Sequence, residues 1–78
     1  MVKTKAFVLI NTEAGLEKLV HEEIKSLEGV KDVYDLYGEY DLMVVVEQDN
    51  DSDVAEVVSW ELRKVKGIRS TNTMVVAK

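Results

Sequence analysis

The chain has 78 residues, no cysteine, no proline and a single histidine, and ten basic against fifteen acidic residues leave a net charge of −5. This length holds one domain, residues 1–78, near the lower limit for a self-sufficient core, and the composition excludes disulfides and thiolate metal sites. An acidic chain with scattered Lys and Arg is not expected to grip a phosphate backbone, and no apolar run approaches the ~20 residues of a membrane span.

No signal-peptide pattern opens the chain, so a cytoplasmic protein without a membrane partner is expected. A core this small supplies ~3–5 kcal/mol, and with no disulfide or thiolate metal site available, oligomerisation is the remaining means of stabilising it.

Residues 3–11 contain Ala6-Phe7-Val8-Leu9-Ile10, apolar on both faces, as in a strand from the middle of a sheet. Thr12 is placed to cap the helix that follows, with Glu13 in its first turn. Leu16, Leu19, Val20, Ile24 and Leu27, spaced 0, 3, 4, 8 and 11, form one stripe of that helix. Gly29 ends it and Val30 opens a hairpin. Gly38-Glu39 suits a two-residue turn with Gly first, which would set Tyr37 opposite Tyr40 as an aromatic pair. The return strand, Leu42 to Val46, is wholly apolar. Function is therefore sought at the polar turn, with Glu39, Asp41 and the two phenols.

The second half repeats the first. Asp53 and Glu56 fit a capping box, and Val54, Val57, Val58, Leu62 and Val65 take the same spacings, 0, 3, 4, 8 and 11. Gly67 and Ile68 follow as Gly29 and Val30 do, so residues 16–30 map onto 54–68 with a constant offset of 38. Two strand–helix–strand copies predict an α+β, ferredoxin-like βαββαβ fold: a four-stranded antiparallel sheet with two helices on one face. Ala6, Val8 and Ile10 face opposite to Phe7 and Leu9, and Leu42, Val44 and Val46 opposite to Met43 and Val45. Whichever set the helices cover, the other is left as an apolar patch, which predicts a homodimer packed sheet to sheet.

Other clusters carry less. Asp49-x-Asp51-x-Asp53 resembles the opening of a calcium loop, but Val54 replaces its Gly and Trp60 its closing Glu. His21, alone on a helix flank, builds neither a metal site nor a nucleophilic triad and reads as a surface histidine. Trp60 lies off its stripe and marks either an interface or a ring laid over its own helix. Glu23 and Glu61, equivalent in the repeat, read as snorkelling side chains and receive no role. Asp41 is the sharpest candidate, a carboxylate at the start of a buried strand beside a Gly turn. A polar hairpin tip is the ordinary reading of the same residues.

Gly38-Glu39-Tyr40-Asp41 after an apolar strand, and Gly67-Ile68-Arg69-Ser70-Thr71-Asn72-Thr73 before the last, resemble the G-x-Y-D turn and G-V-x-x-T-x-T ending of the Lrp/AsnC family of transcriptional regulators. The resemblance is to the effector-binding (RAM-type) domain and covers the whole chain. It implies sheet-to-sheet dimers, rings such as octamers, and an amino-acid effector bound between dimers. The implied contacts are Gly38, Tyr40, Asp41, Thr71 and Thr73, with Tyr37 beside them; no cofactor, metal or catalytic residue is implied. Asp41 would accept from the α-ammonium, and amides near Gly38 with the Thr71 or Thr73 hydroxyls would donate to the α-carboxylate. Family regulators carry a helix-turn-helix ahead of this domain, whereas Met1 here lies close to the first strand. The expectation is a stand-alone module that reads no DNA and acts by mixed assembly with full-length relatives.

Two other readings share the fold. An ACT-like regulatory domain would also bind an amino acid but pairs its sheets side by side. A small dimeric ferredoxin-like enzyme needs an acid, base or electrophile in a cavity, for which the chain offers only His21 and the hairpin carboxylates. An RNA-recognition motif would need aromatics where Leu42 to Val46 has none.

Overall fold

The computed structural model describes residues 4–48 and 60–76. Its elements are β1 (Thr4–Thr12), α1 (Glu17–Lys25), β2 (Val30–Asp35), β3 (Leu42–Gln48) and β4 (Ile68–Val75). The strands form one antiparallel sheet in the order β2-β3-β1-β4, so the two doubly apolar strands are the central ones. The architecture is the ferredoxin-like α+β fold. The capping box at Asp53 and Glu56 and the stripe residues Val54, Val57 and Val58 lie outside the described residues, as does the acidic run 49–53. Residues 60–62 are helical, and Leu62 and Val65 from the end of that stripe are buried.

One face of the sheet makes the core. Ala6, Val8, Ile10, Leu42, Val44 and Val46 are completely buried, together with Val20 and Ile24 of α1 and with Leu62 and Val65. Both helical segments therefore cover this face. Phe7, Leu9, Met43 and Val45 look the other way and are only partly covered, with Tyr34 and Met74 exposed. This apolar open face is the feature from which a sheet-to-sheet dimer was expected.

The internal repeat extends to the hydrogen bonds. Leu27 N–H donates to the Ile24 carbonyl at 3.0 Å, and Val65 N–H to that of Leu62 at 3.0 Å. Ser26 N–H donates to the Glu23 carbonyl at 3.2 Å, and Lys64 N–H to that of Glu61 at 3.1 Å. Gly29 and Gly67 then turn the chain at φ +90 and +100.

Three local expectations are corrected. Thr12 does not cap α1; it ends β1, buried, and α1 starts at Glu17 with Leu16 as N-cap and no side-chain cap. Between them Glu13-Ala14-Gly15-Leu16 forms a turn, Leu16 N–H donating to the Glu13 carbonyl at 3.0 Å, with Gly15 at φ +85 in the position that requires positive φ. Leu19 departs from its stripe and is 66% exposed, because the helix turns its Val20–Ile24 side to the sheet. Tyr37 does not pack on Tyr40: its side chain is fully in solvent, at 107% relative exposure.

Candidate functional site

The β2–β3 connection brings its polar residues to one end of the sheet. Leu36 N–H donates to the Asp41 carbonyl at 2.9 Å, and the chain bends through residues 37–39 with Gly38 at φ +141. Only glycine takes that angle cheaply, and a Cβ there would meet nothing within 4 Å, so the demand at Gly38 is conformational rather than steric.

Asp41 is fastened to the strand beside it. Its N–H donates to the Ile10 carbonyl at 2.9 Å, and its Oδ2 accepts from the Thr12 N–H at 2.8 Å and the Thr12 hydroxyl at 3.3 Å. These bonds satisfy a buried backbone donor at the end of β1 and hold the carboxylate in one orientation. Oδ1 accepts no bond among the described residues. Asp41 lines two open depressions. One, of about 660 Å³, lies between α1 and the hairpin, beside Glu17, His21, Asp35 and Tyr37. The other, of about 320 Å³, lies toward β4 and is lined by Asn11, Thr12, Asp41, Arg69 and Ser70.

Tyr40 is half-buried, and its phenol oxygen accepts from Asn72 Nδ2 at 3.3 Å. Asn11 Nδ2 donates to Ser70 Oγ at 3.3 Å. The hairpin is thus tied to β4 through Asn72, and Asp41 shares a depression with Ser70 and Arg69. Thr71 and Thr73 pair with Ile10 and Val8, which places them on the other side of β4 from Asn72. Thr71 lines a separate depression of about 330 Å³ with Leu62, Arg63 and Val65. Within one chain, Gly38, Tyr40 and Asp41 come together at the hairpin, while Thr71 and Thr73 do not join them.

His21 is more engaged than a plain surface histidine. Its Nδ1 lies 2.9 Å from Asp35 Oδ1, linking α1 to the end of β2. Among the described residues no group of three His, Cys, Asp or Glu side chains is placed to hold a metal ion. No helix there is long and apolar enough to cross a membrane. Trp60 is 63% exposed, Glu23 exposed and Glu61 partly buried.

Reading the sequence missed Asn11, Thr12, Arg69, Ser70 and Asn72. Alternation along β4 could have paired Ser70 with Asn72. The Thr12–Asp41 bond, 29 residues apart in sequence, depends on strand register and leaves no local signal.

A family model described as the Lrp/AsnC ligand binding domain matches residues 5–78. The HTH-type transcriptional regulator PF0250 of Pyrococcus furiosus, itself described as uncharacterized, is 40% identical over 75 residues, covering 92% of this chain and 50% of its own length. The chain thus spans about half the length of the curated regulators it matches. The crystal structure of the hypothetical protein PHS023 from Pyrococcus horikoshii is 39% identical, with a TM-score of 0.83 over 96% of this chain and 90% of that one. A homocitrate synthase of Sulfolobus acidocaldarius is 34% identical over 59 residues, which cover 76% of this chain but only 12% of the enzyme.

Proposed function

Because the chain belongs to the Lrp/AsnC ligand-binding domain family, we propose that it is a sensing and assembly module whose ligand is a free amino acid held around Asp41. The observation that carries this reading is the state of Asp41. Its carboxylate is oriented by Thr12 through one oxygen, and the other remains as an acceptor at the junction of two depressions. An oriented, partly desolvated carboxylate suits an α-ammonium group, which donates up to three hydrogen bonds. The relatives support a sensing role from another direction. A stretch similar to this chain occurs both in helix-turn-helix regulators and in a small part of a biosynthetic enzyme. We read the stretch those proteins share as a regulatory module rather than the part that reads DNA or catalyses.

On this reading the chain carries out no reaction of its own. It dimerises through the open sheet face, builds a larger ring, and modulates transcription by mixed assembly with full-length relatives. Thr71 and Thr73 reach the ligand only where a second copy presents them at the hairpin.

A thermal-shift screen against single amino acids, read with native mass, tests the proposal. A ligand at a hundred times its dissociation constant stabilises the fold by ~2.7 kcal/mol, and each kcal/mol moves the melting temperature of so small a domain by roughly 4–8 °C. Asp41→Asn keeps an oxygen for Thr12 while removing the charge, and it should abolish the shift at little cost to the fold. If no amino acid at millimolar concentration moves the wild type, the chain is an assembly module without this effector.

A further inference from the structure

Arg69 stands where the β1–β4 ladder is interrupted. Asn11 pairs with Ser70 and Thr12 with Ile68, so Arg69 has no partner across the strand. This is a β-bulge, a device that breaks side-chain alternation and re-aims a residue. Its cause lies in the flanking residues. Ile68 packs against the core while Ser70 bonds Asn11 on the other face, and one extra residue between them satisfies both.

The internal repeat supplies a comparison. Lys31, which the offset of 38 carries onto Arg69, is likewise the unpaired residue of a bulge, since Val30 pairs with Val46 and Asp32 with Val45. In the first copy the bulged cation meets a carboxylate, Lys31 Nζ lying 3.4 Å from Glu47 Oε2. In the second copy the Arg69 guanidinium has no ion pair or hydrogen bond among the described residues. It lines the depression of about 320 Å³ whose opposite wall carries Asp41. The two charges share that depression without meeting in an ion pair. In the sheet, Leu42 pairs with Ile10 and Ser70 with Asn11, so β3 and β4 flank β1 and stand two strand spacings apart, or about 10 Å.

We infer that Arg69 is the carboxylate anchor of the ligand site, so that a zwitterion spans the depression with its ammonium on Asp41 and its α-carboxylate on the Arg69 guanidinium. This rests on the amino-acid reading above and adds the group that recognises the acid end. A guanidinium offers two parallel N–H donors to the two carboxylate oxygens, a geometry that neither a threonine hydroxyl nor a lysine reproduces.

The test titrates wild type, Arg69→Gln and Arg69→Lys calorimetrically with each of the twenty L-amino acids and with its α-carboxamide. Wild type is expected to bind the acid and to discriminate against the amide. Arg69→Gln should lose roughly tenfold to a hundredfold in affinity for the acid, the span of a charge-assisted hydrogen bond, and leave amide binding unchanged. Arg69→Lys should recover part of the loss. Equal affinity of wild type and Arg69→Gln for the acid overturns the assignment of Arg69 and leaves the Asp41 site standing. Failure of every amino acid to bind wild type removes the site itself, and the assignment with it.

Discussion

Gly67 meets two demands that no other residue satisfies together. Its φ of +100 is costly for a side chain, and a Cβ there would lie 3.0 Å from Val20 Cγ2 and 3.1 Å from Leu16 Cδ1. Its carbonyl also accepts from the Glu13 N–H at 2.7 Å, tying the turn before β4 to the turn before α1. Gly15 has a φ of +85 but open space around it. Gly67→Ala should therefore lose about 2–4 kcal/mol, backbone strain and overpacking together, and Gly15→Ala about 1–2 kcal/mol from the backbone alone. Chemical denaturation of both variants checks the order, and equal losses would mean that Leu16 yields without cost. At this scale the sequence was only partly legible. It marked Gly38 and Asp41 as special, but the second role of Asp41, holding Thr12, requires knowing which strand lies beside it.

Among the elements, the central strands were readable as short runs apolar on both faces, and the first helix because its apolar residues recur at the 3.6 spacing that geometry imposes. The repeat was readable for the same reason. The start of α1 was not, because Thr12 is an equally good capping residue and strand end. The bulges at Lys31 and Arg69 were also hidden, since a bulge exists only relative to a partner strand. One consequence belongs to three strands at once. Glu47 of β3 lies 3.3 Å from Lys5 of β1 and 3.4 Å from Lys31 of β2. Burial raises its carboxyl pKa, but the hydrogen bond from Lys5 and the charge of Lys31 lower it further, leaving it below its ordinary value. A carboxyl depressed in the folded state adds stability that is fully present above its unfolded value and is lost as pH falls through the folded one. The stability difference between wild type and Glu47→Gln should therefore be largest near neutral pH and shrink below the ordinary glutamate range. A difference that persists unchanged into acid would show that the contact acts through packing instead.

For the whole molecule the deciding quantity is the open face of the sheet. Four strands about 4.8 Å apart, paired over some seven residues of about 3.3 Å, present a flat footprint of roughly 440 Å². Two such faces supply roughly 900 Å² before side-chain relief is added, close to the ~1,000 Å² at which specific association begins. The centre of the face is Phe7, Leu9, Met43 and Val45, and Lys5, Lys31 and Glu47 lie along one margin. An apolar centre with a charged rim is the composition of an interface. The sequence predicted that one apolar set would be left over, but which set required the helices in place. The structure makes the two sets separable by experiment. Val44 is fully buried beneath the helices, so Val44→Lys places an unpaired charge in the core and should unfold the chain. Val45, its neighbour, is only partly covered, so Val45→Lys should keep the helical and sheet signal in circular dichroism. Sedimentation at micromolar concentration should then show a dimer or larger species for wild type and a monomer for Val45→Lys. A monomeric wild type would overturn assembly through this face, and a Val45→Lys that sediments with an oligomeric wild type would place the assembly surface elsewhere on the molecule.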